Sequence, residues 1–182
     1  MTDNDDWIRA LLTPPARRAV NEMKLQISEM SIGAHIGATF LSPTFGVYTV
    51  WGNLTRVSVG DLALSSYSIE SKGKPANDIL RFDTSGRSVR AEGPADSAPD
   101  LEHGAIVRAT FEDDSGQYNV VGPAVLATSA PMIGVGRWVL AYKGTPGVCL
   151  RHLDVLAAPG SLGLSDPPPT LSWDDTDTDA SA

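Results

Sequence analysis

Two spacings of apolar residues divide the chain. Trp7 with Leu11, and Ile8 with Leu12, recur four residues apart behind the acids Asp3, Asp5 and Asp6. That pattern predicts a short amphipathic helix whose negative first turn suits the helix dipole. Thr13-Pro14-Pro15 ends it and offers an N-cap and a first-turn proline to a second helix, where Ala16, Val20, Met23, Ile27 and Met30 form a stripe that stops at Gly33. The stripe is expected to pack on the body of the protein. Pairing of this N-terminal helix with a second copy is the alternative, because two heptads are short for a coiled coil.

From His35 onward the period falls to two, in blocks bounded by Gly and Pro, which predicts strands. The blocks occur twice in the same order. Ala38-Thr39-Phe40 answers Ala109-Thr110-Phe111, and Gly46-Val47-Tyr48-Thr49-Val50-Trp51-Gly52 answers Gly116-Gln117-Tyr118-Asn119-Val120-Val121-Gly122. Val59-Gly60 with Leu64 answers Val135-Gly136 with Leu140, Lys72-Gly73-Lys74-Pro75 answers Lys143-Gly144-Thr145-Pro146, and Leu80-Arg81 answers Leu150-Arg151. Conserved order and similar gaps point to duplication. Tyr48 and Val50, like Tyr118 and Val120, fall on one face, the predicted core. The other face reads Val47-Thr49-Trp51 in the first copy but Gln117-Asn119-Val121 in the second, so the first carries additional apolar surface that a contact is expected to cover.

The expected fold is mainly β: tandem small SH3-like barrels packed together, or two halves of one larger barrel, with an N-terminal helical arm and a disordered acidic tail. The boundaries are a helical arm at 1–34, a first repeat at 35–84, a linker at 85–103, a second repeat at 104–160 and a tail at 161–182. The linker carries Ser85-Gly86, Gly93-Pro94 and Ala98-Pro99, and the tail carries Pro167-Pro168-Pro169 followed by Ser, Thr and Asp.

Composition sharpens this picture. With 17 Gly, 13 Pro and 20% charged residues in 182, many short elements are favoured over a few long helices. The net charge of -8 arises at the ends, from Asp3, Asp5 and Asp6 and from Asp166, Asp174, Asp175, Asp177 and Asp179. The interior is neutral, so nucleic acid is not the expected partner of the chain as a whole. No run approaches the ~18 to 20 apolar residues that span a bilayer, and the early acids oppose a secretory leader, so a cytoplasmic protein without a membrane partner is expected. The single Cys149 reads as a small buried hydrophobe.

Catalytic signatures are absent from the sequence: it has no phosphate-binding glycine loop, zinc-protease helix or nucleophile elbow. His35, His103 and His152 lack any short ligand spacing, so neither metal nor cofactor is expected. A Lys in a Gly and Pro turn followed by an Arg on the next strand occurs twice, as Lys72 with Arg81 and Lys143 with Arg151; together with Lys74 these are candidate anion-binding groups. Trp7, Trp51 and Trp173 are candidate protein-binding anchors, and Trp173 beside its acidic run suits a basic groove on a partner. The resulting expectation is a non-enzymatic adaptor, assembly component or regulator, with nucleotide or nucleic-acid binding through the first basic turn as the alternative.

Overall fold

The computed structural model describes residues 3–13, 33–42, 45–58, 61–64, 67–71, 74–75, 79–83, 101–127 and 131–164. The expected second helix over 16–30, most of the linker, and the tail from 165 onward lie outside these residues. Among the described residues one helix, α1 (Asp3–Leu12), precedes twelve strands. The first six are β1 (His35–Ser42), β2 (Gly46–Ser58), β3 (Asp61–Leu64), β4 (Tyr67–Ser71), β5 (Lys74–Pro75) and β6 (Ile79–Asp83). The second six are β7 (Ile106–Asp113), β8 (Gly116–Leu126), β9 (Met132–Val135), β10 (Trp138–Tyr142), β11 (Thr145–Pro146) and β12 (Leu150–Ala157).

Each set of six pairs in the same way, entirely antiparallel. β1 lies between β6 and the start of β2, and the far end of β2 continues into β3, β4 and β5. β7 lies between β12 and the start of β8, whose far end continues into β9, β10 and β11. A short ladder joins the halves: Thr49, Val50 and Trp51 pair with Val121, Val120 and Asn119. Because β1 and β8 pair with the same residues of β2, they occupy its two opposite edges. The middle of the molecule is therefore a layer ordered β6-β1-β2-β8-β7-β12, and the whole is one curled, half-barrel sheet.

Period-two patterning decides what lies inside the curl. Ala38, Phe40, Tyr48, Val50, Leu54 and Leu64 of the first half join Ala109, Phe111, Tyr118, Val120, Val135 and Leu140 of the second in one buried cluster. Phe40 stacks on its cross-strand partner Tyr48 with ring centroids 5.4 Å apart, and Phe111 stacks on Tyr118 at 5.8 Å. Trp138 sits against Tyr48, Phe111 and Tyr118, and its indole N–H donates to the Tyr118 hydroxyl at 3.1 Å. Aromatic side chains from both halves thus meet in a shared interior, where the sequence reading had favoured two barrels packed side by side. Cys149, expected inside, is exposed.

Strand register corrects two of the sequence matches. Leu64 faces Leu54, as Val135 faces Ala124, so Leu64 corresponds to Val135; Leu140 lies one strand further on. Gly136 opens the turn between β9 and β10, whereas Val59-Gly60 lies outside the described residues. Likewise Phe40 faces Ile79 while Phe111 faces Leu150, and Thr39 faces Arg81 while Thr110 faces His152. Arg81 corresponds to His152, and Arg151 falls at the irregularity between Leu150 and His152. A one-residue slip reverses the face a side chain occupies, so the two Lys and Arg pairs are not equivalent.

Candidate functional site

The outward face of the central layer has an apolar part and a polar part. In β2 the outward residues are Val47, Thr49 and Trp51. Trp51 points away from the main core yet is fully buried, because α1 lies across it. The spacing that formed the helix gives it one apolar side, and Ile8, Leu11 and Leu12 are buried there against Trp51, Val121 and Ile106. Trp7 stacks on Trp51 with centroids 5.7 Å apart and planes 11° from parallel. Leu162 and Leu164 close the far side, and the Arg9 guanidinium donates from Nε to the Leu162 carbonyl at 3.0 Å. Ordered packing therefore runs past residue 160, the boundary expected from composition.

Gly37 makes the position of Trp51 possible. It is the cross-strand neighbour of Trp51, and a β-carbon there would fall 2.0 Å from the indole nitrogen. A glycine inside a strand pattern marks such a close approach, a signal in the sequence that the reading of the Val47-Thr49-Trp51 face did not use. The indole N–H is buried and, among the described residues, has no hydrogen-bond acceptor.

The polar part is a set of buried side chains that the sequence reading did not single out. Thr39 and Thr49 share a hydrogen bond of 2.7 Å between hydroxyls, and Thr110 donates to the Asn119 side-chain carbonyl at 3.3 Å; all four are buried. These are matching positions in the two halves. Further out, Arg108 pairs at 3.0 Å with Asp154, its cross-strand partner, and His152 Nε2 lies 2.9 Å from the other carboxylate oxygen. Burial by itself pushes the Asp154 carboxyl upward. The Arg108 hydrogen bond, the charge and hydrogen bond of His152, and the Arg108 charge together outweigh burial and hold it below the ordinary value.

Of the candidate anion groups, Lys143 and Arg151 have separate contacts. Lys143 and Gly144 form the two-residue turn between Tyr142 and Thr145, both with positive φ, and the Lys143 ammonium lies 5.3 Å from the Tyr142 ring centroid. Arg151 reaches Glu112 at 3.4 Å. Neither contact draws the other cation in. Lys72 lies outside the described residues, as do the side chains of Lys74 and Arg81 and the whole of Trp173. The histidines have separate partners: His35 with Asn53, His103 accepting from the Leu126 backbone N–H, and His152 with Asp154. Among the described residues no helix is long and apolar enough to cross a membrane. Comparison with protein-family models, with curated proteins and with solved structures gives no match.

Proposed function

We propose that this chain is a non-enzymatic protein-interaction module made of two related β units fused into one sheet, acting as an adaptor, assembly component or regulator. The observation that carries this reading is the apolar patch on the outward sheet face, where Trp51, Val121 and Ile106 hold an amphipathic helix. A sheet face built to grip a helix is a recognition surface, since the apolar side of a helix laid in a groove is a general mode of peptide binding. Relatedness of the units is supported by their matching strand order and by the repeated Phe and Tyr stack. Their six strands each, with a long second strand that pairs with the first strand at one end and the third at the other, support a tandem SH3-like duplication. Trp7, Trp51 and Trp173 are its aromatic anchors, and the acidic tail serves a basic groove on the partner, in the cytoplasm.

Affinity capture with the tagged full-length chain from its native host, after mild cross-linking, tests the reading. The expected result is stoichiometric recovery of a protein partner that weakens with Trp173→Ala and with added salt. Recovery of background alone, together with nucleotide or oligonucleotide binding at low salt that Lys72→Ala with Arg81→Ala abolishes, would replace it with the anion-binding alternative.

A further inference from the structure

The groove that holds α1 has features of a site whose present occupant is replaceable. The helix is ten residues long, below the length at which an isolated helix is stable in water, so its structure depends on the groove. Its apolar contacts form a cluster separate from the main core, which both halves complete without it. Its far edge is held by the Arg9 hydrogen bond to Leu162, in a segment of turns beyond the last strand. Under it, Trp51 keeps a buried N–H with no acceptor among the described residues. A buried donor left unmade is costly, so α1 fits the shape of the groove while leaving its polar requirement unmet.

We propose that α1 is a built-in, displaceable cover of this groove, and that the partner is an amphipathic helix that takes its place. Resting on the interaction-module reading, this fixes the surface and the chemistry of the ligand. The partner helix carries large apolar side chains in the arrangement of Trp7, Ile8, Leu11 and Leu12, with an aromatic ring to stack on Trp51. It also presents an oxygen acceptor to the Trp51 indole N–H, which α1 does not. The acceptor gives an outside helix an advantage that works against the local concentration of the tethered one. Binding is thereby gated: the groove is closed at rest and opens to a helix that satisfies both its shape and its donor.

Hydrogen exchange on the full-length wild-type chain tests the cover directly. Amides of α1 are expected to exchange at least tenfold faster than those of Val50 and Val120; equal rates, with α1 released only when the sheet unfolds, would overturn the proposal. The second measurement uses a fluorescent peptide of residues 1–13 as the helix probe. It is expected to bind full-length Leu12→Asp at least tenfold more tightly than wild type, and equal affinities would count against a replaceable cover. If both measurements fail while affinity capture still recovers a partner, the interaction reading stands on another surface. If both succeed while capture recovers nothing, the groove binds helices and the wider reading falls.

Discussion

Val50 and Val120 face each other across the seam between β2 and β8, and each lies two residues after the tyrosine of its own half. On either side the partners exchange roles: Thr49 faces Val121, and Trp51 faces Asn119. The seam therefore has a local twofold arrangement. It departs from symmetry on the outward side, where Trp51 stands at the position that Val121 fills in the other half. That difference gives α1 a place to dock, and it makes one side of a nearly symmetric sheet the working side.

The shared interior leads to the first prediction. Tyr48 packs against Gly122 and Gly136 of the other half as well as its own Phe40. Tyr48→Ala is expected to cost about 3 to 5 kcal/mol, as truncation of a buried aromatic does. Urea unfolding should show one transition for both halves, and two separated transitions would mean independently folding units.

Gly37→Ala places a methyl against the Trp51 indole. The indole must tilt away from the sheet, at a cost of about 1 to 3 kcal/mol. The stack with Trp7 is then lost, to be seen as a change in near-ultraviolet circular dichroism with the far-ultraviolet spectrum retained. An unaltered near-ultraviolet spectrum would show that the ring does not rest on Gly37.

Lys143 adopts a left-handed backbone conformation with φ 49° beside Gly144. Asparagine tolerates that region better and is favoured before glycine in two-residue hairpin turns. Lys143→Asn is therefore expected to raise stability by a few tenths to about 1 kcal/mol in chemical denaturation. A loss of stability would show that the lysine contact with Tyr142 outweighs the backbone strain.

Asp154 titrates lower in the folded chain than in the unfolded one, so the unfolded state takes up its proton first as acid is added. Its contribution to stability is present above the unfolded pKa, about 3.9, and is lost as pH falls through the lower folded value. Asp154→Asn is expected to flatten the stability profile below about pH 4. An identical acid slope in both proteins would place the acid sensitivity in other carboxylates.

The sequence by itself determined the helix at Trp7 to Leu12, the strand-rich body and the inward faces carrying Tyr48, Val50, Tyr118 and Val120, because these follow from local spacing. It also announced, through Val47-Thr49-Trp51, that one outward face needed cover. Tertiary structure decided what covers it. That α1 returns to Trp51, that Gly37 makes room for the indole, and that Leu162 closes the edge all depend on residues far apart in the chain meeting in space. Register was also decided there: a match such as Leu80-Arg81 to Leu150-Arg151 reads naturally along the chain, but hydrogen bonding to β1 and β7 sets Arg81 opposite Thr39 and His152 opposite Thr110. Both ladders carry their irregularity at the same place, between Ile79 and Arg81 and between Leu150 and His152, so the repeated Leu-Arg falls one residue out of step by coincidence of composition, and only the ladder fixes which residue faces which. The joining of two repeats into one sheet has the same origin, since an exposed strand edge is completed by whichever matching edge lies beside it, and for β2 that edge is β8.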